Sequence, residues 1–206
     1  MKVGGVILAG GKSRRMGGGD KGLLTLGGRS ILTHVIARLL PQVDKMVLNV
    51  NGNPDRFAGF DLPVVADSID GFAGPLAGVL AGMDWGAAAG YEYIATVAAD
   101  TPFFPENLVL ALRMAQEGEG KPLAMAMTPD PERGFARHPT FGLWPVNLRE
   151  DLRAALHQGV RKVVEWSEPQ GCAMMVFTQG NPDPFFNVNT PADLARAEEM
   201  LKGLSK

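Results

Sequence analysis

Val3-Gly4-Gly5-Val6-Ile7-Leu8-Ala9 runs directly into Gly10-Gly11-Lys12-Ser13-Arg14-Arg15-Met16-Gly17-Gly18-Gly19-Asp20-Lys21. The first seven residues form a short, nearly continuous apolar run, the pattern of a strand buried on both faces of a parallel sheet. The stretch that follows, counted from Leu8 to Lys21, carries five glycines and four basic residues. At the carboxyl end of a buried strand it occupies the edge where open α/β sheets bind their ligands. Glycine lacks Cβ, so backbone N–H groups can wrap closely around phosphate oxygens while Arg and Lys neutralise their charge. A polyphosphate is the expected guest.

Two familiar phosphate motifs do not apply. The glycine that G-x-x-x-x-G-K-[ST] requires five residues before Gly11 is Val6. Gly17-x-Gly19-x-x-Gly22 fits the dinucleotide fingerprint by letters, but no strand immediately precedes it and Thr25-Leu26-Gly27-Gly28 interrupts any helix starting there.

Outward from this loop, strand and helix patterns alternate. Ser30 is placed to cap a helix from Ile31 to Leu40, with apolar residues at helical spacing, and Pro41 stops it. Strand patterns follow at Met46 to Val50, Leu62 to Ala66 and Tyr93 to Ala98, with a glycine-spaced helix from about Leu76 between the last two. A helix is expected from Pro105 to Gln116, with Pro105 in its first turn. Later, Leu123 to Met127, Pro139 to Leu143 and Ala173 to Phe177 read as strands, and Asn147 to His157, Val160 to Trp166 and Pro191 to Leu201 as helices. Pro129-Asp130-Pro131-Glu132-Arg133-Gly134 reads as a hairpin-like or flexible loop. Repeated alternation of this kind gives an α/β fold with a mostly parallel sheet.

The chain has 206 residues and no linker or fixed-period repeat, so a single domain is expected over residues 1–206. Its 26 glycines exceed the roughly 14 of average usage. Sixteen of them fall in two clusters, ten between Gly4 and Gly28 and six between Gly71 and Gly90. With 20 basic and 22 acidic residues the formal charge is -2, which offers no global field for nucleic acid or an anionic membrane. Cys172 is the single cysteine, which excludes an internal disulfide and a cysteine-rich zinc site and suits a reducing compartment. No apolar run reaches the ~18 residues of a membrane helix, and the start lacks a signal-peptide pattern, so a cytoplasmic protein is expected.

Leu8-Ala9-Gly10-Gly11-Lys12-Ser13-Arg14-Arg15-Met16-Gly17, followed by Asp20-Lys21, resembles the signature of the molybdenum cofactor guanylyltransferases, which join GMP to molybdopterin. Further stretches match in order: Leu48-Asn49-Val50-Asn51, Ala66-Asp67-Ser68, Gly74-Pro75-Leu76-Ala77-Gly78, Ala99-Asp100-Thr101-Pro102-Phe103, Arg137-His138-Pro139-Thr140 and Asn187-Val188-Asn189-Thr190-Pro191. The resemblance implies a Rossmann-like three-layer α/β/α nucleotidyltransferase fold. Its nucleotide-binding part would run over about 1–104 and its acceptor side over about 105–206. It implies GTP and molybdenum-molybdopterin as substrates, Mg²⁺ as cofactor, and transient contact with molybdenum cofactor biosynthesis proteins and molybdoenzyme chaperones. A monomer is expected.

Residue by residue, the resemblance assigns nucleotide contacts to Leu8, Ala9, Gly10, Gly11, Lys21, Asn49, Asp67 and Asp100, with Asp100 also the magnesium ligand. A carboxylate just past an apolar strand suits that role, because Mg²⁺ prefers hard oxygen ligands and keeps much of its water. Capping the next helix is the plainer reading of Asp100, and a turn-forming Asp-Ser pair that of Asp67. Lys21, Arg15 and Asp100 are the expected catalytic residues, chosen to stabilise charge on the phosphates. Gly74, Gly78, Asn187 and Asn189 are candidates for the acceptor side, the two asparagines sharing one face of an extended segment. Gly74, Gly78, Gly82, Gly86 and Gly90 recur every four residues, which on a helix makes one stripe without side chains; close packing is the plainer reading of Gly82 to Gly90. His138 and the tryptophans read most simply as structural, and Cys172 as a buried filler. The alternatives are a cytidylyltransferase acting on the same cofactor, a sugar-phosphate nucleotidyltransferase, and a non-catalytic nucleotide-binding regulator. Gly10-Gly11 with Asp20-Lys21 favours guanine.

Overall fold

In a computed structural model the described residues are 1–10, 20–69, 71, 74–178 and 180–204. The elements in chain order are β1 (Val3–Leu8), a small hairpin of β2 (Thr25–Leu26) and β3 (Arg29–Ser30), α1 (Ile31–Leu39), β4 (Lys45–Asn49), β5 (Val64–Val65), α2 (Pro75–Ala88), β6 (Tyr93–Ala98), α3 (Leu108–Glu119), β7 (Leu123–Asp130), β8 (Gly134–Pro145), α4 (Arg149–His157), α5 (Val163–Ser167), β9 (Cys172–Val176) and α6 (Pro191–Leu204). Among these residues a seven-stranded sheet has the order β5-β4-β1-β6-β8-β7-β9. Strands β5, β4, β1 and β6 pair in parallel, as do β7 and β9, and only β8 runs against its two neighbours. The expected mostly parallel sheet is therefore found, with β8 as its antiparallel member.

Period-two alternation along the strands sends successive side chains to opposite faces and builds two cores. Val3 and Ile7 of β1, Leu48 of β4 and Val97 of β6 pack with Val35 and Leu39 of α1 and Leu108 and Leu112 of α3. Val6, Val47, Ile94 and Met125 pack on the other face with Val79, Leu80 and Met83 of α2, Leu152 and Leu156 of α4 and Trp166 of α5. Helices thus cover both faces, giving the three-layer arrangement. A third, smaller cluster joins Leu26 and Ile31 to Phe103, Val188 and Ala197, and so seats α6 against the small hairpin.

Within the glycine stripe Gly82 and Gly86 pack, whereas Gly90 lies beyond the end of α2 with φ of +75° and a Cβ there would meet nothing within 4 Å. A Cβ on Gly82 would lie 2.7 Å from Val6 and 2.9 Å from Ile94, and one on Gly86 2.8 Å from Ile94, so α2 lies closer to the sheet than a side chain allows. Gly78 does the same at the upper end of α2, where a Cβ would run into the Asn49 side chain and Leu8.

Several element boundaries depart from expectation. The helix after Asp100 begins at Leu108, not in the Pro105 turn. Phe103 and Phe104 are buried, and the prolines at 102 and 105 favour extended backbone before them, so residues 101–107 dock onto the core before any helix can start. Asp100 therefore caps no helix. The helix expected from Val160 begins at Val163, because Lys162 is still extended and Gly159 has φ of +95°. The strand expected over 62–66 shrinks to two residues. By contrast β8 is longer than expected, and with β7 it makes Pro129 to Gly134 a hairpin end. The Asp130 carboxylate closes that turn by accepting from the backbone N–H groups of Glu132 and Arg133 at 3.0 and 2.9 Å.

Candidate active site

A cavity of about 1090 Å³ opens at the carboxyl ends of β1, β4 and β6. This is where an open α/β sheet leaves backbone and side-chain groups free to meet a ligand. Leu8, Ala9 and Gly10 enter it from β1, Asn49 from β4, and Asp100 from β6; Lys21, Asp67, Gly74 and Asn187 come from the connections and the late segment. Gly11 and Arg15 lie outside the described residues.

One wall is built around Asp100. The Lys21 ammonium sits 3.6 Å from Asp100 Oδ2 and donates to Asn189 Oδ1 at 2.5 Å. The Thr101 hydroxyl, fully buried, lies between Asp100 Oδ1 at 3.3 Å and the Asn187 amide oxygen. The backbone N–H of Val188 donates to the carbonyl of Asp100 at 2.9 Å and so locks the late segment to the end of β6. Asn187 and Asn189 both reach this wall, one on each side of buried Val188, as alternation requires. Thr190 caps α6, its hydroxyl accepting from the N–H of Asp193 at 3.1 Å, while the Asp193 carboxylate accepts from the N–H groups of Asn189 and Thr190. Burial pushes the Asp100 carboxyl above its ordinary range, against the pull of Lys21 and the hydrogen bond from Thr101. Its side chain keeps a quarter of its surface open towards the cavity.

The opposite wall is a clasp around Asp67. Asn49 Nδ2 donates to Asp67 Oδ1 at 3.0 Å and Asn51 Nδ2 to Asp67 Oδ2 at 2.7 Å, while the N–H of Asp67 donates back to Asn51 Oδ1 at 3.1 Å. Asn49 also donates to the carbonyl of Val65 at 3.3 Å. The amide nitrogen of Asn49 is thus spent inside the protein, and its oxygen faces Gly10 and Gly78. The next residue, Ser68, donates to Asp84 Oδ2 of α2 at 2.5 Å, and Asp84 in turn pairs with Arg153 of α4 at 2.7 Å.

Two expected acceptor-side residues do not line the cavity. Gly78 is buried beneath Asn49 and Leu8, where absence of a side chain is what lets α2 approach, so its place is a packing one. Asn189 stands behind Lys21 and orients its ammonium. Gly74, with φ of +154°, opens α2 beside Pro75 and does line the cavity. His138 is structural: it stacks on Phe185 at 4.0 Å, shares a hydrogen bond with Thr128, and burial holds its pKa down. Cys172 is buried and its thiol is pushed up to about 11.

Arg56, Phe57 and Thr140 also line the cavity without having been expected there. Asn51 had a legible signal, since Leu48-Asn49-Val50-Asn51 alternates both asparagines onto one face. Arg56 had none, for it lies on a 3₁₀ turn over Pro54–Phe60 whose approach to the cavity no local pattern sets. Among the described residues no group of three or more His, Cys, Asp or Glu is gathered around a common point. Asp100 nevertheless fits a divalent cation, with hard oxygen atoms open to the cavity and room for a nucleotide's own oxygens and water to complete the shell.

Comparison with known proteins gives the family. A MobA-like NTP transferase domain matches residues 5–171. A molybdenum cofactor guanylyltransferase from Bradyrhizobium sp. (strain ORS 278) is 49% identical over 201 residues, covering 96% of this chain and 92% of the relative. One from Cereibacter sphaeroides is 47% identical over 202 residues, covering 98% of each. Among solved structures, the molybdopterin-guanine dinucleotide biosynthesis protein A of Archaeoglobus fulgidus superposes with a TM-score of 0.72 at 22% identity, covering 98% of this chain and 100% of that one, and shares the fold. With its sheet, its cavity and near full-length identity of this order, the chain belongs to the molybdenum cofactor guanylyltransferase family.

Proposed function

We propose that this nucleotidyltransferase transfers GMP from GTP to the terminal phosphate of molybdenum-molybdopterin, giving the guanine dinucleotide cofactor and pyrophosphate. The observation that carries the reading is the meeting of Lys21 and Asp100 across the cavity from the Asp67 clasp, in a chain of this family. A phosphate oxygen of the acceptor attacks the α-phosphorus in line; the new P–O bond forms as the α–β bridging P–O bond breaks, and the bonding pair leaves on pyrophosphate. A phosphate monoester is largely dianionic at neutral pH, its second pKa being about 6, so no strong general base is needed. Rate then comes from alignment and neutralised charge.

Lys21 supplies a positive charge whose direction is set by Asn189 and Asp100. Asp100 would hold Mg²⁺, which when bound supplies Lewis-acid polarisation of the phosphate oxygens. Arg15 and the backbone of Gly10 and Gly11 would take further phosphate oxygens. Asp67 selects the base. Its carboxylate accepts and cannot donate, which complements the adjacent N1–H and N2–H₂ donors of guanine; cytosine offers the N4–H₂ donor beside an acceptor at N3, so one carboxylate oxygen would face a lone pair. Asn187 and Gly74 face the acceptor side. The buried thiol of Cys172 suits a reducing, cytoplasmic setting. Mixing the purified protein with GTP, Mg²⁺ and molybdenum-molybdopterin should yield pyrophosphate and the dinucleotide by mass; pyrophosphate without the dinucleotide, or neither, would refute the proposal.

A further inference from the structure

Arg56 belongs to no motif that identifies the chain, yet it is one of two cationic side chains lining the cavity among the described residues, with Lys21. Its Nε lies 2.9 Å from Asp20 Oδ2, and its Nη2 donates to the carbonyl of Asn51 at 2.8 Å. The guanidinium also sits 5.2 Å from the ring centre of Phe57, which is buried. Three contacts hold a side chain that would otherwise be free to rotate. The pair links Asp20, which ends the glycine-rich stretch after β1, to the segment after β4, where Asn51 takes part in the clasp on Asp67. Asp20 is itself 12% exposed and directly precedes Lys21.

We infer that Arg56 is a positioning residue, a strap across the rim of the nucleotide cleft that holds Asp20 and thereby the end of the phosphate-binding stretch. The inference rests on the proposal that GTP occupies this cavity. Asp20 alone would set a negative charge beside incoming phosphates; paired with Arg56 it does not. Lys21 has its own partners in Asn189 and Asp100, so loss of the strap bears on capture of the nucleotide and leaves the transfer step in place. Uniform loss of binding of this kind raises KM and spares kcat.

A double-mutant cycle on the full-length protein tests this, with GTP dissociation constants measured in the presence of Mg²⁺ beside steady-state rates. Arg56→Met and Asp20→Asn should each weaken GTP binding and raise KM by about three- to fivefold, as a part-exposed ion pair allows, with kcat within about twofold. The double variant should be no worse than either single one. Arg56→Lys should not rescue, because an ammonium cannot bridge Asp20 and the Asn51 carbonyl as the planar guanidinium does. Thermal melts near that of the wild type would show that all variants fold. An effect of Arg56→Met without one of Asp20→Asn, effects that multiply, or rescue by lysine would each overturn the strap and point to direct contact with the nucleotide; no effect of either variant would overturn it as well. GTP binding without transfer in the wild type would instead sink the guanylyltransferase reading while the coupling between Arg56 and Asp20 still stands or falls by itself.

Discussion

Asp100 and Asp67 stand past the ends of strands in one sheet and face one cavity, but they are held in unlike ways. Asp100 is tied to Lys21 and, through Thr101 and Val188, to a segment nearly ninety positions later in the chain. Asp67 is gripped by two asparagines sixteen and eighteen positions earlier, at the end of the strand beside its own. The first arrangement leaves charge partly uncompensated in a confined place, which suits a group that must meet metal and phosphate. The second satisfies a carboxylate with neutral donors and fixes its direction, which suits reading a base by hydrogen-bond pattern. On the proposed function, transfer and selection are divided between two walls of the same cleft.

Breaking the first wall should give the largest effect. Asp100→Ala or Lys21→Ala should lower turnover by about 10² to 10³ with the fold retained, the scale of losing a transition-state charge partner, as measured by pyrophosphate release and circular dichroism. The loss should be the same with GTP and CTP. Gly78 lies under Asn49 of the second wall, so Gly78→Ala, which drives a Cβ into Asn49 and Leu8, should cost about 1–3 kcal/mol by overpacking and lower Tm by several degrees in a calorimetric scan. Its KM for GTP should rise with the displacement of Asn49. Within the clasp, Asn51→Ala removes one donor to the carboxylate and should raise KM for GTP by about tenfold or more at unchanged kcat, since a hydrogen bond to a charged group is worth about 1.5 kcal/mol or more. The smallest effect lies outside both walls. His138 has its folded pKa held below the ordinary 6.5 by burial, with Thr128, Phe185 and the Asp183 carboxylate around it. Its neutral form is the one that the fold favours, so its contribution to stability is complete above about pH 6.5 and is lost as pH falls through the lower folded value. Between pH 7 and 5 the Tm of the wild type should therefore fall more than that of His138→Gln.

Much of this is legible in the chain itself. Leu8, Asn49 and Asp100 can be placed because each lies near or just past the carboxyl end of a strand pattern, which in a parallel sheet is the ligand edge. The stripe on α2 is legible as close packing because the glycines recur at helical spacing. The start of α3 is not, since burial of Phe103 and Phe104 is a tertiary demand that overrides the local preference of proline for a first turn. Lys21 with Asn189, and Arg56 with Asp20, are equally beyond local patterns: each contact depends on where an irregular connection returns to the sheet. That Gly78 packs and Gly74 lines the cavity likewise follows from the height at which α2 crosses β4, which no spacing in the sequence encodes.

The division of labour between the walls is tested most directly by the ratio of kcat/KM for GTP to that for CTP, with molybdopterin as acceptor, in the wild type and in Asp67→Asn. An amide in place of the carboxylate can donate as well as accept, so it would meet guanine less well and cytosine better. The wild type should prefer GTP, and Asp67→Asn should lower that ratio by about 10- to 100-fold while the summed activity survives, the range expected when a charged hydrogen-bond acceptor is lost from a base-reading site. A ratio unchanged by the substitution, or a wild type that prefers CTP, would contradict the assignment of Asp67 to the base.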